Sequence, residues 1–247
     1  MNGTIRYTIR PYDTIWMLAQ VFNTTVDSIM ELNPGIDPRN LMIGQVITIR
    51  PGYQYYQPYP VDSGNDVEMG NEEMRAEICK YFRMLWEQHV TWTRMVVMGI
   101  IHDLPETELM TQRLLRNAKD FADALRPFYG DKAAAEFADL FTGHITMAAE
   151  LVQAAKAGDT NAVADTERRW FENANKIAEF LGSINPYWSV EDWSAMMNEH
   201  LELLRDNSLE MLSGNYQDSI NGYDDIEAQA LEMADMMSEG IAMQNPA

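Results

Sequence analysis

The sequence predicts an α+β protein in two parts: a small βααβ domain, then an all-helical domain of six helices arranged as three repeated hairpins. Apolar and polar residues alternate at 5–10 and 45–49, as in half-buried strands. Residues 67–247 lack this alternation and are rich in the helix formers Ala, Leu, Met and Glu. Residues 1–52 have balanced charges, so the whole net charge of −20 lies beyond them. We therefore predict domains at 1–51 and 67–247, joined by a linker at 52–66.

The first domain is predicted from local signals. A strand at 5–9 is followed by a helix that Thr14 caps and by a second helix that ends at Asn33-Pro34-Gly35. Gly44 then turns the chain into a strand at 45–49. Because so short a chain has only a small core, the two strands must pair, with both helices packed on one face.

The second domain is predicted from the breaks between its helical patterns. Gly and Pro punctuation falls near 103–105, 129–130, 158–159, 185–186 and 214–215. The linker before it is rich in Tyr and Pro and has no helical period. The breaks predict helices at about 67–102, 105–127, 131–157, 159–183, 189–213 and 215–242.

The first domain resembles a LysM module. The landmarks are Asp13-Thr14, Asn33-Pro34 and Gly44-Gln45 in that order, with Ile15, Ala19 and Leu41 between them. The resemblance implies binding of peptidoglycan or chitin-like N-acetylglucosamine oligomers in a groove between the loop after the first strand and the loop before the second. The groove would be lined by Pro11, Tyr12, Asp13, Thr14, Ile15, Asn33, Pro34, Gly35, Ile36 and Asp37.

One position departs from the LysM pattern. The Gly that usually precedes Asp-Thr is Tyr12 in this chain. Glycine is favoured where a backbone approaches a ligand closely, so Tyr12 either narrows the groove or stacks on a sugar ring.

The helical domain contains an internal repeat. The segment 113–125 aligns with 169–181, and the same 56-residue offset carries His144 onto His200. His89 lies 55 residues before His144. Each histidine lies on an apolar helix face, and a buried imidazole needs a hydrogen-bond partner. The predicted partners, in chain order, are Asn117, Asn173 and Gln229.

Two interpretations of His89, His144 and His200 stay open. They are either structural hydrogen-bond pairs or a Zn or Fe site in the bundle core, since imidazole suits both metals. No Glu-x-x-His occurs, so the di-iron bundle pattern is missing. We assign no catalytic residue: Cys79 lacks a basic activator, and no phosphate loop, nucleophile elbow or His-Glu-x-x-His is present.

Charge and hydropathy limit the partners and the location. A net charge of −20 excludes nucleic acid as the main partner and disfavours an anionic membrane surface. The longest apolar run, 95–101, is too short to span a membrane. Residues 1–14 lack a signal-peptide pattern, so we expect synthesis in the cytoplasm.

The helical domain and the architecture carry two further resemblances. The stretches 88–94, 169–173 and 198–201 are similar to uncharacterised His-containing helical domains of Gram-positive spore-forming bacteria, which implies no activity. An N-terminal LysM module without a signal peptide resembles proteins that assemble on the spore surface. We therefore expect assembly at the spore surface or cell wall.

The sequence favours a non-catalytic protein that binds cell-wall glycan through the LysM module. The acidic helical domain would then act as an interaction module for a protein partner, without a cofactor. The alternative is a metal-binding helical-bundle enzyme or redox protein that uses His89, His144 and His200 and is targeted to the wall by the LysM module.

Overall fold

The computed structural model divides the chain into two compact units, 1–66 and 67–247. It describes residues 4–9, 14–15, 18–19, 22, 24–38, 41–42, 44–50 and 71–245. The predicted linker and three predicted groove residues, Pro11, Tyr12 and Asp13, lie outside the described residues.

The first unit contains the two predicted strands. Strand β1 (Ile5–Thr8) pairs antiparallel with β2 (Val46–Ile49), so that Ile5 lies opposite Ile49. Helix α1 (Val26–Leu32) begins after Thr25, whose hydroxyl accepts a hydrogen bond from the Ser28 N–H at 3.1 Å. Ile15, Leu18 and Ala19 are also helical. The predicted pairing of the two strands is confirmed.

The core of the first unit is small and aliphatic. Alternate residues of the second strand point inward, which matches the period of two in the sequence. The Tyr7 and Phe22 rings pack edge to face at 5.3 Å. The buried set, each 2% exposed or less, is Ile9, Ile15, Leu18, Ala19, Ile29, Ile47 and Ile49.

The described part of the second unit consists of five helical segments, one of which is interrupted. Gly130 has φ 78° and ψ 174°, a conformation open to glycine, and divides the second segment into two helices. The described part of the second unit therefore forms six helices, with the break at the predicted position. The segments are α2 (Asn71–His102), α3 (Thr107–Ala157), α4 (Thr160–Ile184), α5 (Val190–Leu212) and α6 (Tyr216–Gln244).

The helices of the second unit pack as a closed bundle. Each packs against its neighbour in the chain, and α2 also packs against α6. Aromatic rings fill the centre: Trp86 lies 5.2 Å from Phe121, which lies 5.1 Å from Phe141. No helix in the described part of the chain is long and apolar enough to cross a membrane.

Two arginines at equivalent positions of the first and second hairpins have different surroundings. Arg169 forms ion pairs with Asp165 at 2.9 Å and Glu150 at 3.2 Å. Arg113 has no carboxylate at ion-pair distance among the described residues; its Nη2 donates to Gln88 Oε1 at 3.0 Å. Burial lowers the pKa of Arg113. The position equivalent to Asp165 is Leu109, which is 67% exposed.

We expect Leu109→Asp to stabilise the helical unit by about 0.5–1 kcal/mol. An acidic residue four positions before Arg113 forms a favourable helix pair, and it lies in the first turn of α3, where the helix dipole favours negative charge. Urea unfolding of the full chain measures the change. Leu109→Asn is the control, because it removes the same exposed leucine without adding charge. Equal stability of the two variants would contradict the prediction.

Candidate functional site

Asn33 connects α1 to the second strand. Its Nδ2 donates to the carbonyl oxygens of Ile29 at 2.7 Å and Thr48 at 2.6 Å. Its Oδ1 accepts from the Thr48 N–H at 2.7 Å. The side chain is thus fully engaged in the fold, and it holds the start of the predicted groove loop against the sheet.

The loop after Asn33 presents an accessible surface. Pro34, Gly35 and Asp37 are exposed, whereas Ile36 is half-buried against the apolar core. Gly35 has φ 88°, which favours glycine, and a Cβ built there would meet no atom of the described residues within 4 Å. The backbone at 34–37 is therefore open to an approaching ligand.

The predicted residues on the other side of the groove are described in part. Thr14 is exposed. Ile15 is 2% exposed and belongs to the core, so it can offer a ligand its backbone but not its side chain. Of the predicted groove residues that the structure describes, four are exposed: Thr14, Pro34, Gly35 and Asp37.

The three histidines of the second unit each meet their predicted amide partner. His89 Nδ1 lies 3.2 Å from Asn117 Oδ1, and His144 Nδ1 lies 3.2 Å from Asn173 Oδ1. His200 Nδ1 lies 2.9 Å from Gln229 Oε1. All three imidazoles are 2% exposed or less. The predicted hydrogen-bond pairs are confirmed.

A second hydrogen bond orients each amide. The amide nitrogens donate to backbone carbonyls one helical turn before each histidine, so the amide oxygens face the rings. Each Nδ1 therefore carries the proton, and each neutral ring has its lone pair on Nε2. The carbonyls are those of Leu85 at 3.1 Å, Leu140 at 3.1 Å and Met196 at 2.8 Å.

Burial keeps these histidines neutral. It lowers the pKa of His144 to about 3 and that of His200 to about 4, because the protonated ring would lose its hydration. Burial, with the neighbouring His200 and His144, also lowers the pKa of His89 well below its usual value. The His89 and His200 rings lie 5.9 Å apart.

The predicted Zn or Fe site on His89, His144 and His200 stays a prediction. Among the described residues, no group of three or more His, Cys, Asp or Glu side chains is placed to hold a metal ion. His200 Nε2 is buried without a hydrogen-bond partner in the described part of the chain. Elemental analysis of the purified full chain tests this site.

Two interactions of acidic side chains are absent from the sequence-based predictions. Burial, and a hydrogen bond with Glu227, raise the pKa of Glu87. Cys79 Sγ donates to Asp235 Oδ1 at 3.4 Å, and burial, together with this carboxylate, raises the pKa of the thiol. The two partners of each pair are separated by 140 residues or more along the chain, so no local pattern could have paired them.

The first unit is a small α+β domain, with a two-stranded sheet, helical residues packed over it and an exposed loop after α1. Residues 7–50 match the LysM domain family, and they form a LysM domain. This family match covers the N-terminal part of the chain.

The chain is also similar to the secreted LysM effector ELP2 of Colletotrichum higginsianum. The two are 45% identical over 48 residues, which is 19% of this chain and 27% of the effector. The chain thus spans about a quarter of the length of this curated relative. No solved structure matches the chain significantly.

Proposed function

We propose that this protein binds N-acetylglucosamine-containing glycan, such as peptidoglycan, through its LysM domain and thereby anchors the acidic helical unit at the cell wall or spore surface. The match of residues 7–50 to the LysM family carries this proposal. The exposed loop at 34–37 supports it, because that loop is one side of the groove expected from the sequence.

The groove residues have separate roles in this proposal. The open backbone at Gly35 provides hydrogen-bonding groups for the N-acetyl substituents of the sugar. Asn33 keeps the loop in place through its three hydrogen bonds. A single shallow groove binds weakly, and several LysM domains on one polymer raise the affinity through avidity.

The helical unit supplies the interaction module of this proposal. Residues 53–247 contain 14 Lys and Arg against 34 Asp and Glu. This part of the chain therefore carries the whole net charge of −20. A partner with a basic surface complements this charge. In this proposal, the LysM domain holds the helical unit at the glycan.

We expect Asp13→Ala and Ile36→Ala each to weaken binding of a chitin oligomer by the full chain about fivefold or more, since each removes a predicted groove contact. Isothermal titration calorimetry measures the affinity. Asp27→Ala is the control, because Asp27 is exposed in the first turn of α1, outside both groove loops. Circular dichroism checks the fold of the Ile36 variant, whose side chain touches the core. Unchanged affinity in both groove variants would contradict the groove assignment.

A further inference from the structure

Arg113 lies on a partly apolar surface that α2 and α3 form together. Its guanidinium carbon lies 5.2 Å from the centre of the Trp92 ring, and its Nη2 donates to Gln88 Oε1 at 3.0 Å. Its Nη1 is buried, whereas its Nε is not buried and has no acceptor in the described part of the chain. Leu109, one helical turn before Arg113, is 67% exposed, and Met95, one turn after Trp92, is 40% exposed. We call these five residues the Arg113 surface.

The second hairpin shows what an arginine at this position pairs with. The first helices of the two hairpins are related by 55 residues and the second helices by 56. Arg169 Nε lies 2.9 Å from Asp165, and Arg169 Nη2 lies 3.2 Å from Glu150. In the first hairpin both carboxylates are replaced by exposed apolar side chains. The corresponding residues, first hairpin before second, are Arg113 and Arg169, Leu109 and Asp165, and Met95 and Glu150.

The first hairpin holds its arginine by other means. Gln88 and Trp92 stand where the second hairpin has Gly143 and Met147. The Gln88 amide accepts a hydrogen bond from the guanidinium, and the Trp92 ring attracts the cation through its face. Arg113 is therefore kept in place by neutral groups, and its charge stays available to a carboxylate from outside the chain.

The charges near Arg113 leave it without compensation. Asp120 pairs with Arg116 at 3.4 Å. Burial, together with Arg116, lowers the pKa of Arg113, because no carboxylate lies at ion-pair distance among the described residues. A partly buried cation of this kind gains a charge-assisted hydrogen bond when a carboxylate approaches. Residues 53–247 carry a net charge of −20, which disfavours a carboxylate over most of the remaining surface, so Arg113 would fix the position of one.

We propose that the Arg113 surface binds a segment of a partner protein in which an Asp or Glu side chain is flanked by apolar side chains. The carboxylate pairs with Arg113 Nε. The flanking side chains pack on Trp92, Met95 and Leu109. A partner that is basic overall needs only one such acidic residue. This inference rests on the interaction role proposed above for the helical unit and not on glycan binding, so each can fail separately.

Three N-acetylated tripeptide amides test the charge and apolar requirements on the full chain. Leu-Glu-Leu has both features, Leu-Gln-Leu lacks the carboxylate, and Gly-Glu-Gly lacks the apolar side chains. We expect Leu-Glu-Leu to bind about tenfold more tightly than either of the others, because a charge-assisted hydrogen bond and the burial of leucine side chains both add affinity. NMR titration measures the affinities. The Nε–H resonance of Arg113, assigned by its loss in Arg113→Gln, should shift with Leu-Glu-Leu.

Variants of the full chain locate the bound carboxylate. Arg113→Gln removes the cation, so the preference for Leu-Glu-Leu over Leu-Gln-Leu should disappear. Leu109→Asp supplies a carboxylate from within the chain and should abolish the same preference, and it replaces Arg113→Gln if that variant fails to fold. Leu109→Asn also removes the leucine but should retain the preference. Arg169→Gln is the control and should bind all three peptides as wild type does, because Arg169 lies outside the Arg113 surface.

The outcomes that overturn the proposal are distinct. Equal binding of Leu-Glu-Leu and Leu-Gln-Leu by wild type, or no binding of either, would exclude the carboxylate. A preference that survives both Arg113→Gln and Leu109→Asp would place the peptide elsewhere. Sedimentation velocity tests a second copy as the occupant: a wild-type dimer that Leu109→Asp dissociates would replace the partner segment by a second chain. The titrations contain no glycan, so failure of chitin-oligomer binding leaves their result unchanged.

Discussion

Acidification from pH 6.5 to pH 4 is expected to unfold the helical unit of the full chain. The cause is the burial of neutral His89, His144 and His200, whose pKa values in the folded state lie below the ordinary value of 6.5. At a pH between the folded-state pKa and 6.5, the unfolded chain binds more protons than the folded chain. The free energy of unfolding therefore falls as the pH falls. The stabilisation from neutral burial is complete above pH 6.5 and is lost toward the folded-state pKa.

The expected loss of unfolding free energy between pH 6.5 and pH 4 is large compared with the stability of a domain. With folded-state pKa values of about 3 for His144 and about 4 for His200, each costs roughly 3 kcal/mol by pH 4. His89 acts in the same direction. Domains are commonly stable by about 5–15 kcal/mol, so the three groups together are sufficient to unfold this unit. Glu87, with its raised pKa, opposes them in part.

Asparagine variants isolate the histidine contribution. His→Asn keeps an N–H donor for the partner amide and removes the titrating group, so each substitution at 89, 144 or 200 should reduce the pH dependence. The quantity to measure is the slope of unfolding free energy against pH in urea, about 1.4 kcal/mol per pH unit for each proton. His102→Asn is the control, because His102 is exposed at the end of α2. A triple variant with the slope of wild type would show that other groups dominate acid unfolding.

Gly240→Ala is expected to destabilise the helical unit by about 2–5 kcal/mol. A Cβ at Gly240 would lie 1.9 Å from Trp188 Nε1 and 2.4 Å from Trp188 Cδ1, so the indole would have to move. Trp188 is 2% exposed, donates to Met236 and packs 5.5 Å from the Tyr129 ring. Its movement therefore costs packing and a buried hydrogen bond.

Gly143→Ala is the matched control for this clash. Gly143 also lies inside a helix, but the nearest atoms to its added Cβ are at 3.7 and 3.9 Å, which is ordinary contact. Alanine is a better helix former than glycine, so the free energy of unfolding of this variant should rise by about 0.5–1 kcal/mol. Urea unfolding of both variants gives the comparison. A Gly240 variant as stable as the Gly143 variant would contradict the close approach of Trp188.

Local sequence signals predicted the elements of both units well. The sequence predicts helices at 159–183 and 189–213, and the structure has them at 160–184 and 190–212. Asp159 and Ser189 explain this agreement, because each side chain accepts a hydrogen bond from a first-turn backbone N–H. The break at Gly130 was also predictable, since its backbone conformation favours glycine.

The candidate sites were predictable to different degrees. The LysM groove depends on short landmarks in a fixed order, which a sequence displays directly. Yet Ile15, predicted in the groove, has its side chain in the core, because its face of the helix packs over the sheet. The histidine–amide pairs were predictable because the 56-residue offset repeats both partners.

Sequence patterns were sufficient to predict the two-part architecture, the LysM domain, the six helices of the second unit and the partners of the three histidines. Each depends on residues close together along the chain or on a pattern that repeats at a constant offset. Helix packing, by contrast, brings the His89 and His200 rings to 5.9 Å from each other and leaves Arg113 without a carboxylate partner in the described part of the chain. These features depend on how each helix is rotated and packed against helices distant in sequence, which apolar periodicity leaves undetermined.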